Sequence, residues 1–163
     1  MYEKEIKKIQ RSSRIGLWGS VGAVMLTVVF IYAAPWRFYP SEHTSLWMLI
    51  AGSVLAVLAV SMTLLSVRRQ IPHLRQADGL ETKLSGYASH VQSLYTTMLV
   101  VVVLLCAFTL MSARNVLLML VIVSVLVLFL IYPNIYRIKV DLGLTDEEMR
   151  SLFGDRYIGG NEE

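Results

Sequence analysis

The stretch that decides the fold is residues 91–113, VQSLYTTMLVVVVLLCAFTLMSA, which contains no Asp, Glu, Lys, Arg or His. A helix rises about 1.5 Å per residue and the hydrocarbon core of a bilayer is about 30 Å thick, so this stretch is long enough to cross it. Three more stretches of similar length also lack these side chains, at residues 15–36, 44–67 and 115–136. The sequence therefore predicts an all-α, polytopic membrane protein with four transmembrane helices in an antiparallel bundle.

Composition and charge support a single membrane domain. Of the 163 residues, 55% are apolar and only 17% are charged. We expect a basic cytoplasmic N-terminus over residues 1–14, a transmembrane domain over 15–136 and a cytoplasmic tail over 137–163. The net charge of +3 is explained by segregation of Lys and Arg between loops, so no nucleic-acid surface is predicted.

The distribution of Lys and Arg predicts the orientation. Five precede the first span, four lie in residues 68–90 and four lie in the tail, whereas the two other connections hold only Arg37 and Arg114. Cytoplasmic loops carry an excess of these residues. We therefore expect both termini and residues 68–90 in the cytoplasm. The first span is too long for a signal-peptide core and is followed by Pro35, so it is expected to be retained.

Small residues recur at helical spacing in the first two spans. They predict close packing of spans one and two, because small side chains let helix backbones approach in lipid. An intersubunit contact and a ligand cavity are the alternatives. The residues are Gly16, Ser20, Ala23 and Thr27 in span one, and Gly52, Ala56, Ala59 and Thr63 in span two.

Apolar residues at steps of three and four from Leu80 to Met98 predict that helix three begins near Leu80, below the membrane. In the tail, Thr145 and Glu148 form a capping-box pattern that predicts a short helix over 146–153, with Leu144 and Met149 as a hydrophobic staple. These segments either pack on each other or dock a partner. The candidate docking residues are Leu80, Leu84, Tyr87, Leu144, Met149, Leu152 and Phe153.

Two prolines are expected to interrupt helices. Pro72 should bend or end the extension of helix two, and Pro133 should end span four unless a kink is tolerated, because proline lacks the backbone N–H.

No catalytic, cofactor or metal site is predicted. The three histidines lie at span ends or in loops, and His73 with His90 lacks the spaced carboxylate that a zinc site would use. Cys106 is the only cysteine and is expected to be a packing residue. Enzymatic activity and ion-coupled transport normally require ionisable groups in or beside the membrane, so neither is expected.

Several positions of the second half carry a family resemblance. They are Lys83, Leu84, Tyr87, Asn115, Pro133 and the run at residues 137–148. In these the chain resembles small four-span inner-membrane proteins of bacteria whose activity is not established. The resemblance implies a bacterial inner-membrane location and a cytoplasmic tail.

By elimination, the expected function is that of a structural or interaction subunit of a membrane complex. The expected partners are the lipid bilayer and either another protein or a second copy of the chain. The alternative is passive transport, alone or as an oligomer, of a small neutral or apolar solute.

Overall fold

The computed structural model describes residues 3–33, 41–112 and 115–154. All regular structure in these ranges is helical, and six helices follow one another along the chain. The outer loop expected around residues 35–40, the turn at 113–114 and the end of the tail lie outside the described residues. The helices are α1 Glu3–Ala33, α2 Glu42–Gln76, α3 Leu80–Ser112, α4 Asn115–Leu130, α5 Ile135–Leu142 and α6 Asp146–Phe153.

Three of these helices, α1, α2 and α3, are long and apolar enough to cross a membrane. α4 and α5 pass the same test of length and composition only when they are taken together, and they are bent by 75° relative to each other, so the candidate spans number three, or four with this pair. The single helix expected over 115–136 is therefore wrong, because α4 ends at Leu130. Pro133 cannot donate a backbone hydrogen bond, and Asn134 starts α5 by accepting the Arg137 amide at 2.7 Å.

The connection from α2 to α3 is short and comprises residues 77–79. α2 continues past Pro72 to Gln76, so this proline does not end the helix. Ala77 is extended and Gly79 has a φ of 84°, a left-handed conformation that favours glycine. α3 then begins at Leu80, where the apolar pattern places its start.

α3 is the centre of the bundle and packs against α1, α2 and α4. The apolar face predicted from the sequence is its core face. Leu84, Tyr87, Val91 and Met98 are all buried. Leu80 and Leu94 are half-buried against the same cluster.

The expected pairing of α1 with α2 is wrong, because both helices pack on α3 instead. A Cβ added to Gly16 would lie 2.8 Å from the Cβ of Tyr95 on α3. One added to Gly52 would lie 2.8 Å from Leu117 Cδ2 on α4. The small residues do permit close approach, but a small residue does not specify which neighbour approaches. Gly16, Ser20, Thr27, Gly52, Ala56 and Thr63 are buried, and Ala23 and Ala59 are half-buried.

α5 and α6 close one end of the bundle. Ile138 and Leu142 of α5 and Met149 of α6 are fully or almost fully buried, in the cluster that also holds Ile9 of α1. α6 has the bounds expected from its capping box, in which Thr145 and Glu148 bond reciprocally. Gly143, with a φ of 61°, ends α5.

This closure changes the interpretation of the candidate docking residues. Leu84, Tyr87, Leu144 and Met149 are at most 4% exposed. Leu80, Leu152 and Phe153 are half-buried against them. The prediction that the four buried residues form a docking surface is therefore wrong. In the described residues these segments pack against each other instead.

Candidate ligand-binding cleft

A cleft with a volume of about 720 Å³ lies between α2 and α3. Its residues run from Leu55 to Gln70 on α2 and from Gly86 to Val101 on α3. Cavities of a few hundred to a thousand cubic ångströms are typical of small-molecule sites. The cleft is thus large enough for a substantial ligand.

The lining changes from polar to apolar along the cleft. The short connection at residues 77–79 makes α2 and α3 antiparallel, so Gln70 and Gly86 lie at the end near that connection. Leu55 and Val101 lie at the opposite end. The polar lining residues are Gln70, Ser66 and Thr63 on α2, and Ser89, His90, Ser93 and Thr97 on α3. Leu55, Leu58 and Val101 form the apolar end.

His90 is the most unusual side chain of the cleft. It is 9% exposed, and its Nε2 atom is buried with no hydrogen-bond partner in the part of the chain that the structure describes. Leaving such an atom unpaired costs about 1–3 kcal/mol. Nε2 can donate or accept, depending on the tautomer. His90 thus leaves one ring nitrogen unsatisfied at the border of the cleft.

Three cleft hydroxyls differ from two buried hydroxyls elsewhere in the bundle. Ser20 and Ser124 each donate to a carbonyl one turn earlier, at 2.7 and 2.9 Å. Such internal bonds satisfy a hydroxyl without any ligand. Ser66, Ser93 and Thr97 make no comparable bond within the described residues. Their hydroxyls are consequently free to bind a molecule in the cleft.

The cleft is chemically neutral. No Asp, Glu, Lys or Arg is among its lining residues, and the described residues contain no group of three His, Cys, Asp or Glu side chains that could hold a metal. His73 is exposed on α2 and does not line the cleft. The arrangement can donate and accept hydrogen bonds at one end and bury apolar groups at the other.

Sequence reasoning found part of this site. Ala59 and Thr63, expected as packing residues, line it together with Leu94 and Met98 of the predicted core face. The sequence analysis did not predict the polar residues of the cleft, although their spacing in the sequence would have indicated them. Steps of four residues separate Ser66 from Gln70 and connect Ser89, Ser93 and Thr97, which puts each set on one helix face.

Comparison with known proteins gives no match to a family of proteins, a curated protein or a solved structure.

Proposed function

We propose that the chain is an integral protein of the bacterial inner membrane that binds an uncharged amphipathic molecule in the α2–α3 cleft without transforming it chemically. The observation that carries the proposal is the neutral cleft, polar near the α2–α3 connection and apolar at its other end, with the buried, unpartnered Nε2 of His90.

The exposed surface supports membrane insertion. Large apolar side chains cover the outside of the long helices, and soluble monomers rarely expose contiguous apolar patches beyond a few hundred square ångströms. On α1 they include Trp18, Met25, Leu26 and Phe30, each at least 63% exposed, and on α2 Val57 and Met62, each at least 60% exposed. α4 exposes Val116, Met119 and Leu130.

The fourth crossing in this proposal is made by α4 with the residues that flank it. Its 16 residues rise only about 24 Å. That is a few ångströms less than an average hydrocarbon core, a mismatch that local thinning of the bilayer can accommodate. α5 and α6 then lie at the cytoplasmic surface, in agreement with the orientation expected from the Lys and Arg distribution.

Cysteine labelling in intact cells tests this topology. In a Cys106→Ala background, an impermeant maleimide should modify a cysteine introduced by Ser41→Cys but not one introduced by Ser85→Cys. Both positions are exposed, so burial does not explain a difference between them. Modification of Ser85→Cys from outside would refute the proposed orientation.

The proposed ligand has a hydroxylated, uncharged headgroup and one apolar chain. The headgroup would lie near Ser66, Gln70 and His90, and the chain would extend toward Leu55 and Val101. An ionic headgroup is disfavoured because the cleft offers it no counter-charge and burying an unpaired charge is costly. A monoacylglycerol has the required chemistry and serves as the probe.

Photocrosslinking with a diazirine-bearing monoacylglycerol tests the cleft. Crosslinks should map to the lining positions of α2 and α3. Thr97→Leu should remove most of them by filling the cleft, whereas Thr96→Leu, on the neighbouring exposed position outside the cleft, should not. Equal labelling of the two variants would contradict the proposal.

Passive transport of a neutral solute is a second candidate, since the same uncharged lining would suit such a solute. Purified protein in liposomes would then accelerate the flux of glycerol, and Thr97→Leu would slow it. Binding without flux supports the first proposal. Two expectations from the sequence stay predictions. One is association with a protein partner or a second copy, and the other is the absence of enzymatic activity.

A further inference from the structure

A second cavity, of about 410 Å³, lies where α1 meets the break between α4 and α5. It differs from the α2–α3 cleft because two guanidinium groups line it. The side chains that matter are Arg14 and Trp18 of α1, Phe129 near the end of α4, Tyr132 and Asn134 in the break, and Arg137 of α5.

The local structure holds Arg137 in place. Its Nη1 donates to the carbonyl of Leu130, the last residue of α4, and its Nε lies 3.6 Å from Asp141 Oδ2. A guanidinium group has five N–H donors, so these two contacts leave donors for a ligand. The break at Pro133 that ends α4 is thus also what positions this cation beside the cavity.

Arg14 adds a second positive charge to the cavity, and no carboxylate of the described residues neutralises it. It is exposed, and no ion pair joins it to an Asp or Glu in the described ranges. Asp141 is already engaged, because it pairs with Arg137 and accepts the Tyr87 hydroxyl at 2.9 Å. The cavity therefore has an excess of positive charge that favours an anion.

The remaining lining indicates the kind of anion. Trp18 and Phe129 offer apolar and aromatic surface, and both are substantially exposed, at 66% and 49%. Arginine binds phosphate groups with charge-assisted hydrogen bonds, and basic pockets at the cytoplasmic side of membrane helices bind anionic headgroups. A free inorganic anion would make no use of the aromatic surface.

We infer that this cavity binds an anionic membrane phospholipid, with the phosphodiester between Arg14 and Arg137 and an acyl chain along Trp18 and Phe129. The inference rests on the membrane insertion proposed above, but not on the ligand of the α2–α3 cleft. The lipid would therefore bind on the side of the bundle that is formed by α1, α4 and α5.

Quenching of Trp18 fluorescence by brominated lipid tests the inference. The chain carrying Trp36→Phe and Trp47→Phe retains Trp18 as its only tryptophan. In detergent micelles, phosphatidylglycerol with brominated chains should quench it at about tenfold lower lipid concentration than brominated phosphatidylcholine, which corresponds to about 1.4 kcal/mol. Both lipids carry the phosphodiester, but the positive charge of choline is repelled by the two arginines.

Two arginine variants separate a site from general attraction. Arg14→Gln should abolish the preference for phosphatidylglycerol, whereas Arg11→Gln, one turn earlier and outside the cavity, should leave it intact. Equal quenching by the two lipids, an equal effect of the two variants, or displacement by inorganic phosphate at the lipid's concentration would overturn the inference. Failure of membrane insertion would appear separately, as release of the protein from membranes by alkaline carbonate.

Discussion

Gly16 lies where α1 closely approaches α3. An added Cβ would lie 2.8 Å from Tyr95 Cβ and 3.1 Å from the Tyr95 carbonyl oxygen, and neither atom is at the end of a flexible side chain. We expect Gly16→Ala to lower the free energy of unfolding by about 1–3 kcal/mol, as overpacking does. Unfolding in mixed detergent micelles would measure it.

Gly22 is the matched control for Gly16, since nothing lies within 4 Å of its added Cβ. Gly22→Ala should be neutral or stabilise the protein by about 0.5–1 kcal/mol, because alanine is the better helix former. Equal stability of the two variants would show that α1 does not contact Tyr95 closely.

Tyr87 shows how one hydroxyl connects two helices. Its ring is 3% exposed and its hydroxyl donates to Asp141 on α5 at 2.9 Å. A hydrogen bond to a charged acceptor contributes about 1.5–3 kcal/mol, so Tyr87→Phe should destabilise the protein by roughly that amount. Tyr136→Phe, at a position that is 61% exposed, should have no measurable effect on the same unfolding curve. Similar unfolding curves for the two variants would show that the hydrogen bond from Tyr87 to Asp141 does not stabilise the protein.

At the scale of elements, local signals in the sequence predict helix boundaries well where the signal is chemical. Thr145 with Glu148 predicts α6, and the apolar pattern that begins at Leu80 predicts the start of α3. The charge-free stretch at 115–136 fails, because absence of charge carries no information about where the backbone bends. Pro133 is the local signal that competes with it, and the structure follows the proline.

α5 offers a test of its docking against the bundle. Ile138 is 1% exposed whereas Val140, two residues on, is 66% exposed. Ile138→Ala should free α5 and α6 from the core, since truncating a buried side chain of this size costs about 2–5 kcal/mol. Faster hydrogen exchange of residues 135–153 would report it. Val140→Ala should leave the exchange unchanged, and equal exchange in the two variants would show that α5 is not docked.

At the scale of the whole molecule, the sequence predicts the number of apolar stretches but not their neighbours. Each long helix has more than one face that could pack against a neighbour. The periodicity of small or apolar residues identifies such a face but does not indicate which helix packs against it. The α2–α3 cleft escaped prediction for the same reason, because its polar residues come from two helices. Only their juxtaposition, with Ser66 and Gln70 opposite Ser89 and His90, turns scattered hydroxyls into a site.

Disulfide trapping tests the arrangement in which α3 is central. In a Cys106→Ala background, Gly19→Cys with Leu99→Cys should crosslink α1 to α3, because an added Cβ at Gly19 lies 3.9 Å from Leu99 Cγ, the atom that a cysteine sulfur would replace. Ser20→Cys with Ala59→Cys, joining the small residues of α1 and α2, should crosslink much more slowly, since these helices do not form a pair. Crosslinking rates measured in membranes under mild oxidation decide between the two arrangements. Faster trapping of the α1–α2 pair would restore the pairing that the small residues alone suggest and would contradict the central position of α3.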